Sequence, residues 1–541
     1  MNSQAGIEPD SCRSGSVVHG DHHLADKISQ STFFGVLANG VQVGTRLLTV
    51  PIVIQHLGLG GYGIWSIVMV TVAYMRFGTA GVKSAFQKYV AEATSTKQFD
   101  NANQLISTGA ISMLILSLIG LFPIAIYSTN LARASGVPPE FLLAAARSIT
   151  VLALILVVAN FGAAYEAIVM GGQRVDLARK FNICTTIGEA IAIIIFLRFG
   201  FGLLAMSIIM ALSELIYISA CYLASKRVVP EIRVKWSNVS ARVFPELFRF
   251  AGSFQLINVL EVLYATILPI VVLRYYGAES AGIYALATRV ATSAMVAQDA
   301  LSLSILSGAA AIFVSNSVER IQRFVRKSFK AMFIITTPAL AFVSVFGPTL
   351  VLAWTGQSAP LFRSAIAMVS LAGLFKSISL LQLVLYRATG KALLDNIRQI
   401  LRIVVLLVVA AMGKSIGFYG LLIGCAAAEL CGMIFMFLAM AATFRGFTMK
   451  FIAFDTMKVF AATALIIAAG WCGSLIPVYV DPSQRIGAAM RLVAIGVITL
   501  VSGLPALIVT GAISVNERSM LLQTVFPWRK KTQRSWSAAE V

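Results

Sequence analysis

Apolar runs of about 20 residues recur along nearly the whole of this 541-residue chain, and they leave few folds open. A helix of that length crosses a hydrocarbon core of about 30 Å. The runs are continuous rather than alternating, which excludes the strands of a membrane barrel. Only 12% of the residues are charged, where a soluble protein carries about 25%. The spacing therefore predicts an all-α polytopic membrane protein with about 14 transmembrane helices. The spans fall at 31–55, 62–80, 103–128, 148–170, 181–198, 202–224, 250–273, 280–314, 329–354, 364–386, 397–413, 418–441, 457–478 and 489–511.

The formal net charge of +20 is distributed in a way that speaks against nucleic acid. Sorted by alternate connections, about 31 of the 43 basic residues lie on one side of the membrane, together with both tails. That excess is the positive-inside signal, and it places both termini in the cytoplasm. The connection KRVVPEIRVKWSNVSARVFPELFRF after the sixth span, and Arg387, Lys391, Arg398 and Arg402 after the tenth, are counted on the basic side.

Little of the chain lies outside the membrane. The first 27 residues are polar and lack the basic start and apolar core of a cleaved signal, so disorder is expected there. Their histidines, His19, His22 and His23, read as part of a solvated tail. Five of the six cysteines sit in apolar spans without paired spacing, and neither a disulfide framework nor a metal site is indicated. No loop is long enough to bury a soluble catalytic core. YRATGKALL lacks the leading glycine of a phosphate-binding loop, so ATP hydrolysis by this chain is excluded. Neither enzymatic chemistry nor a cofactor is expected.

Two hairpins resemble each other. PIVIQHLGLGGYGIW starts at Pro51 and PIVVLRYYGAESAGIY at Pro269. In both, Pro-Ile-Val leads to a glycine (Gly58, Gly277) and, five residues on, to Gly63-Ile64-Trp65 or Gly282-Ile283-Tyr284. Six spans separate the copies, which predicts a parallel repeat about an axis along the membrane normal. The expected organisation is a tail over 1–27, pseudo-symmetric six-helix lobes over 28–227 and 228–441, two appended helices within 442–511, and a second tail over 512–541. Substrate is expected between the lobes, near the midplane.

Polar residues inside the spans mark candidate sites. Asn39, Gln42, Arg46 and Thr49 share one face of the first helix, and Arg76, Thr79 and Lys83 follow the same spacing in the second. The seventh span carries Gln255, Asn258 and Glu261; the eighth carries Arg289, Thr292 and Asp299. Lys376 lies near the middle of the tenth. A charge at bilayer depth costs several kcal/mol or more unless it is solvated or paired. Two roles are therefore open for Arg46, Arg76, Arg289 and Lys376. They line a wet ligand cavity, or they pair with Glu166, Glu189, Glu214, Glu261, Asp299 or Glu429. Each glutamate reads as a structural partner except Glu261, which lies on a polar stripe of a repeated hairpin.

The first hundred residues carry a further signal. Leu57, Gly58, Tyr62, Gly63, Ile64 and Trp65, followed by Gly78, Gly81, Lys83, Tyr89 and Glu92, resemble the first hairpin of the Wzx-like oligosaccharide flippases of the polysaccharide transporter family. The wider superfamily also holds multidrug extruders and lipid II flippases with a two-lobed fold. The resemblance implies transfer of an undecaprenyl-diphosphate-linked oligosaccharide from the inner to the outer leaflet of a bacterial inner membrane. It implies alternating access driven by Na+ or H+, contact with membrane lipids, and other polysaccharide assembly proteins as partners. Lipid II flippases are similar in placing arginines on the first, second and eighth helices, where Arg46, Arg76 and Arg289 stand. On this reading Arg46, Arg76, Arg289, Gln42, Asn39 and Lys376 bind substrate, and Glu261 is the coupling carboxylate. The alternative is a cation-coupled extruder of cationic compounds. Such extruders usually carry an acid in the first helix, where this chain has Arg46.

Overall fold

The computed structural model describes residues 14–73, 79–313, 318–388, 393–443, 449–475, 481 and 484–513. Among them there are thirteen α-helices and no strand. They are α1 (Ser14–Ala73), α2 (Thr79–Thr96), α3 (Phe99–Ala134), α4 (Pro139–Gly171), α5 (Val175–Arg198), α6 (Leu203–Val228) and α7 (Phe244–Ala294). The rest are α8 (Val296–Phe313), α9 (Val318–Thr355), α10 (Leu361–Ala388), α11 (Leu393–Thr443), α12 (Met449–Ser474) and α13 (Arg485–Val509). α1 already starts at Ser14, inside the tail expected to be disordered. Extending an existing helix adds one hydrogen bond per residue without a new nucleation step, which favours such growth.

Eleven of the described helical stretches are long and apolar enough to cross a membrane. Three of them are interrupted at a glycine: α1 at Gly58, α7 at Gly277 and α11 at Gly417, with φ near +72°, +81° and +72° and ψ of 172°, 176° and 172°. That combination is open essentially to glycine alone. Each break is a reversal. Val409 lies against Gly424, although a straight helix would hold them about 22 Å apart. Thr49 and Met69 line one cavity, where a straight α1 would separate them by about 30 Å. Each interrupted helix thus carries two crossings, and eleven stretches give the fourteen expected passes.

Among the described residues, six of the seven left-handed glycines fall in one set of connections, and the seventh, Gly511, follows the last pass. Gly58, Gly136, Gly200, Gly277, Gly356 and Gly417 all have positive φ, and each joins an odd-numbered pass to the next even one. The intervening connections, on the basic side, use Lys97 and Gln173 at φ 60° instead.

The chain divides into two compact units, Met1–Gly61 with Ile67–Val259, and Tyr62–Ser66 with Leu260–Val541. In the first, α4 packs against α2, α3 and α6, and α5 lies mainly on α6. Phe86, Val90, Leu105, Ile106, Ala164 and Ile168 fill its core. The absent side chain of Gly171 lets α4 approach Val90, and that of Gly162 makes room for Ile218. Small residues of this kind allow the close packing that stands in for a hydrophobic drive inside lipid. The basic connection after α6 is tied to α3. Asn103 Oδ1 accepts the Arg233 amide at 2.8 Å, and Thr108 Oγ1 accepts that of Ser240 at 3.0 Å.

In the second unit α10 packs against α9 and α11, and α12 against α9 and α13. Its core includes Phe329, Phe333, Leu381, Tyr386, Met436 and Val459. Large apolar residues such as Leu116, Phe122, Leu438 and Leu500 stay exposed on the helix exteriors, as lipid-facing positions require. The tail from 514 onward lies outside the described residues.

Candidate functional site

Within the first unit, polar residues from three passes meet around a cavity of about 450 Å³. The first half of α1 supplies Gln42, Thr45, Arg46 and Thr49. Three of these, Gln42, Arg46 and Thr49, belong to the stripe predicted for that helix. α5 supplies Asn182, Thr185, Thr186 and Glu189, and α6 supplies Ser213, Glu214 and Tyr217, while apolar residues of α4 and the second half of α1 complete the wall. Asn39, one turn away on α1, is exposed and does not line the cavity. Arg46 is itself exposed rather than packed in a dry interior.

The cavity is not purely basic, as the stripes of the first two spans alone suggested. Ser213, Arg46 and Glu214 all lie close enough to Glu189 to act on its charge. The Ser213 hydroxyl also reaches the Thr185 carbonyl at 3.2 Å, linking α5 to α6. The acids were legible in hindsight. Asn182, Thr185, Thr186 and Glu189 recur at spacings of three and four, as do Ser213, Glu214 and Tyr217, so each set covers one helical face. A second layer lies behind: Lys83 of α2 pairs with Glu166 of α4 at 2.5 Å, and Glu166 is hydrogen-bonded to Tyr217. Glu166 thus acts as the structural partner expected of it. Arg76, expected beside this cluster, lies outside the described residues.

The second unit holds a different arrangement. Lys376 of α10 donates to Glu261 Oε1 at 3.0 Å. Glu261 Oε2 accepts from Gln399 Nε2 and, at 3.4 Å, from Arg402. The Arg402 guanidinium also donates to Gln399 Oε1 and to Glu429 Oε1, and it lies 3.8 Å from the Tyr264 ring centroid. Its side chain is 0% exposed. Gly432, on the returning half of α11, leaves space for the Arg402 stem; a Cβ there would stand 2.9 Å from Cγ and Cδ. Two acids and two bases make this network neutral overall.

Arg402 and Arg398 therefore require a correction. Both were counted with the basic connection, yet both are buried in α11, Arg398 pairing with Asp395 at 3.0 Å. Helix α11 starts at Leu393, earlier than hydropathy alone suggested, because paired charges at i and i+3 satisfy its first turns. Glu261 and Lys376, assigned separately to coupling and to substrate, are partners of one another. Arg289, in the second half of α7, is half-buried, and among the described residues no carboxylate pairs with it. The side chains of Gln255 and Asn258 lie outside the described residues, and Asp299 falls in α8, beyond a turn at Met295. Among the described residues no three His, Cys, Asp or Glu side chains are grouped to hold a metal.

Fourteen passes in two units, with polar clusters at bilayer depth in each, define a polytopic transporter-type membrane protein. The fold matches that of solved MOP-superfamily proteins. One is a multidrug resistance MATE family transporter in an inward-facing conformation, at 18% identity over 74% of this chain and 96% of that one, TM-score 0.61. Another is the lipid II flippase MurJ in an inward closed conformation, at 12% identity over 86% and 98%, TM-score 0.63. A third, a MOP superfamily transporter from Pyrococcus furiosus described by a binding pocket of reverse polarity, matches at 18% identity over 76% and 94%, TM-score 0.55. No curated protein sequence matches the chain. Residues 57–360 match the profile of the polysaccharide biosynthesis protein family, more than half of the chain, and the chain belongs to that family. The Wzx-like resemblance of the first hairpin thus agrees with both the family and the fold.

Proposed function

We propose that this protein moves an undecaprenyl-diphosphate-linked oligosaccharide from the inner to the outer leaflet of a bacterial inner membrane, with both termini cytoplasmic and other polysaccharide assembly proteins as partners. What supports this reading is the cavity of the first unit, where Arg46 stands among amide, hydroxyl and carboxylate groups. A guanidinium fork matches phosphate oxygens bidentately. Asn182, Gln42, Glu189 and Glu214 are suited to the hydroxyl groups of a sugar, which both donate and accept. Such a lining fits a glycan-phosphate headgroup better than either part alone. Arg76 and Arg289 are proposed as further anion contacts.

Coupling to Na+ or H+ is proposed at Glu261. Its charge holds Lys376 and contributes to holding Arg402, so neutralising it loosens α7 from α10 and α11. Alternating access then follows from the switch between the paired and unpaired states of one carboxylate.

The experiment is leaflet-resolved labelling of lipid-linked oligosaccharide in a deletion strain. Glycan trapped on the cytoplasmic leaflet is the expected result; an unchanged leaflet distribution overturns the reading. The two carboxylates beside Arg46 favour one competing reading, an extruder of cationic compounds. Lowered resistance to cationic dyes, with glycans normal, would establish it instead.

A further inference from the structure

The cavity around Arg46 has a neighbour on the outside of the same unit. Between α5 and α6 runs an apolar groove of about 530 Å³, from Cys184 and Ile216 at one end to Phe196 and Phe201 at the other. Those ring centroids lie 5.4 Å apart and close that end. Twelve residues separate Cys184 from Phe196, so the groove extends about 18 Å along the helix axis, more than half the hydrocarbon thickness. Its volume falls within the range of ligand pockets, about 300–1,000 Å³. Gly188 sits in its floor, and a Cβ at that position would meet nothing within 4 Å.

Groove and cavity share a wall. Thr185, Glu189 and Ser213 line both. Glu189 lies past the middle of α5, at a depth where an ordinary phospholipid, whose headgroup stays at the interface, has nothing polar to offer. A lipid whose polar group must enter the bilayer does. We infer that the groove between α5 and α6 holds the isoprenoid chain of the lipid-linked substrate, while the linking phosphate passes beside Thr185, Glu189 and Ser213 toward Arg46. This rests on the flippase reading and adds the place of the lipid chain to it. The apolar lining matches a hydrocarbon, and the shared wall is built from short side chains (Thr185, Ser213, with Gly188 adjacent). Arg46, which acts on Glu189 across the cavity, offsets the carboxylate that an entering phosphate meets.

The test uses the full-length protein in membrane vesicles, with benzoylphenylalanine placed at Leu212 in the groove or at Leu116 on the lipid-facing side of α3, and radiolabelled undecaprenyl diphosphate as the probe. Labelling at Leu212 is expected about tenfold above that at Leu116 and competed by unlabelled polyprenyl diphosphate but not by phosphatidylglycerol. Gly188→Trp, filling the groove, should reduce it to the Leu116 level and stop glycan export, whereas Phe122→Trp on the lipid-facing exterior of α3 should change neither. Equal labelling at the two positions, equal competition by phosphatidylglycerol, or export by Gly188→Trp at the wild-type rate each overturns the inference. If export depends on the protein but Leu212 is not labelled, the groove fails and the flippase reading stands. If Leu212 is labelled and deletion leaves the leaflet distribution unchanged, the flippase reading fails and the groove remains a lipid site.

Discussion

Replacing Arg402 by methionine isolates a fully buried electrostatic contribution in the second unit. The guanidinium is 0% exposed and the Glu429 side chain 4% exposed, so solvent screens neither. Among the described residues Glu429 Oε2 has no hydrogen-bond partner, which leaves Oε1 and its bond to Arg402 as the carboxylate's support. Glu261 is less affected. It keeps Lys376 at 3.0 Å as well as Gln399, and at 37% exposure its share is screened and left out of the sum. Removing one partner of a buried pair costs about 3–5 kcal/mol. An independent bound agrees: an ordinary glutamate takes up a proton at pH 7 for about 4 kcal/mol, the cheapest escape for a stranded charge. Methionine retains contact with the Tyr264 ring, so little is lost in packing. Arg402→Met should therefore lower stability by about 3–5 kcal/mol, measured by SDS-titrated unfolding in mixed micelles. The double variant Arg402→Met with Glu429→Leu should return to within about 1 kcal/mol of wild type, since an apolar pair replaces an ionic one at similar volume. A single variant within about 1 kcal/mol of wild type, or a double variant no more stable than the single, refutes the reasoning.

Three further outcomes are expected. Arg46→Ala should abolish surface glycan while the protein still inserts, and Arg46→Lys, which keeps charge but not the fork, should leave export reduced about tenfold; normal surface glycan in Arg46→Ala removes the cavity from the transport route. Glu261→Gln should export poorly and lose dependence on an imposed proton or sodium gradient in vesicles, whereas retained dependence moves coupling to another group. Gly417→Ala places a side chain at φ 72° and ψ 172°, where space is open but the backbone is not, and should cost about 1–3 kcal/mol in the same unfolding assay; a neutral result would show that the reversal does not depend on that backbone geometry.

How far the sequence reaches is clearest at the reversals. Gly58 and Gly277 stood out because each sits inside a repeated hairpin, but Gly417 carries the same dihedrals with no such context around it. The stripe of Gln42, Arg46 and Thr49 was legible because one helix face is a periodic property of the chain. Glu189 and Glu214 were also periodic, yet their role depended on facing Arg46 from other helices, and a single helix cannot reveal its neighbour. Arg402 misled for the opposite reason: near the end of a span, a basic residue looks cytoplasmic until Glu429, twenty-seven residues on, is brought back against it.

The sequence by itself determined an all-helical membrane chain and its fourteen passes, since length and hydropathy act locally and need no partner. Only the tertiary structure decided that Lys376 and Glu261 neutralise one another, that Arg46 shares its cavity with two carboxylates, and that an apolar groove borders that cavity. Pairing and enclosure are relations between helices far apart in the chain, and at bilayer depth, without water to satisfy a charge, those relations set what each charged side chain does.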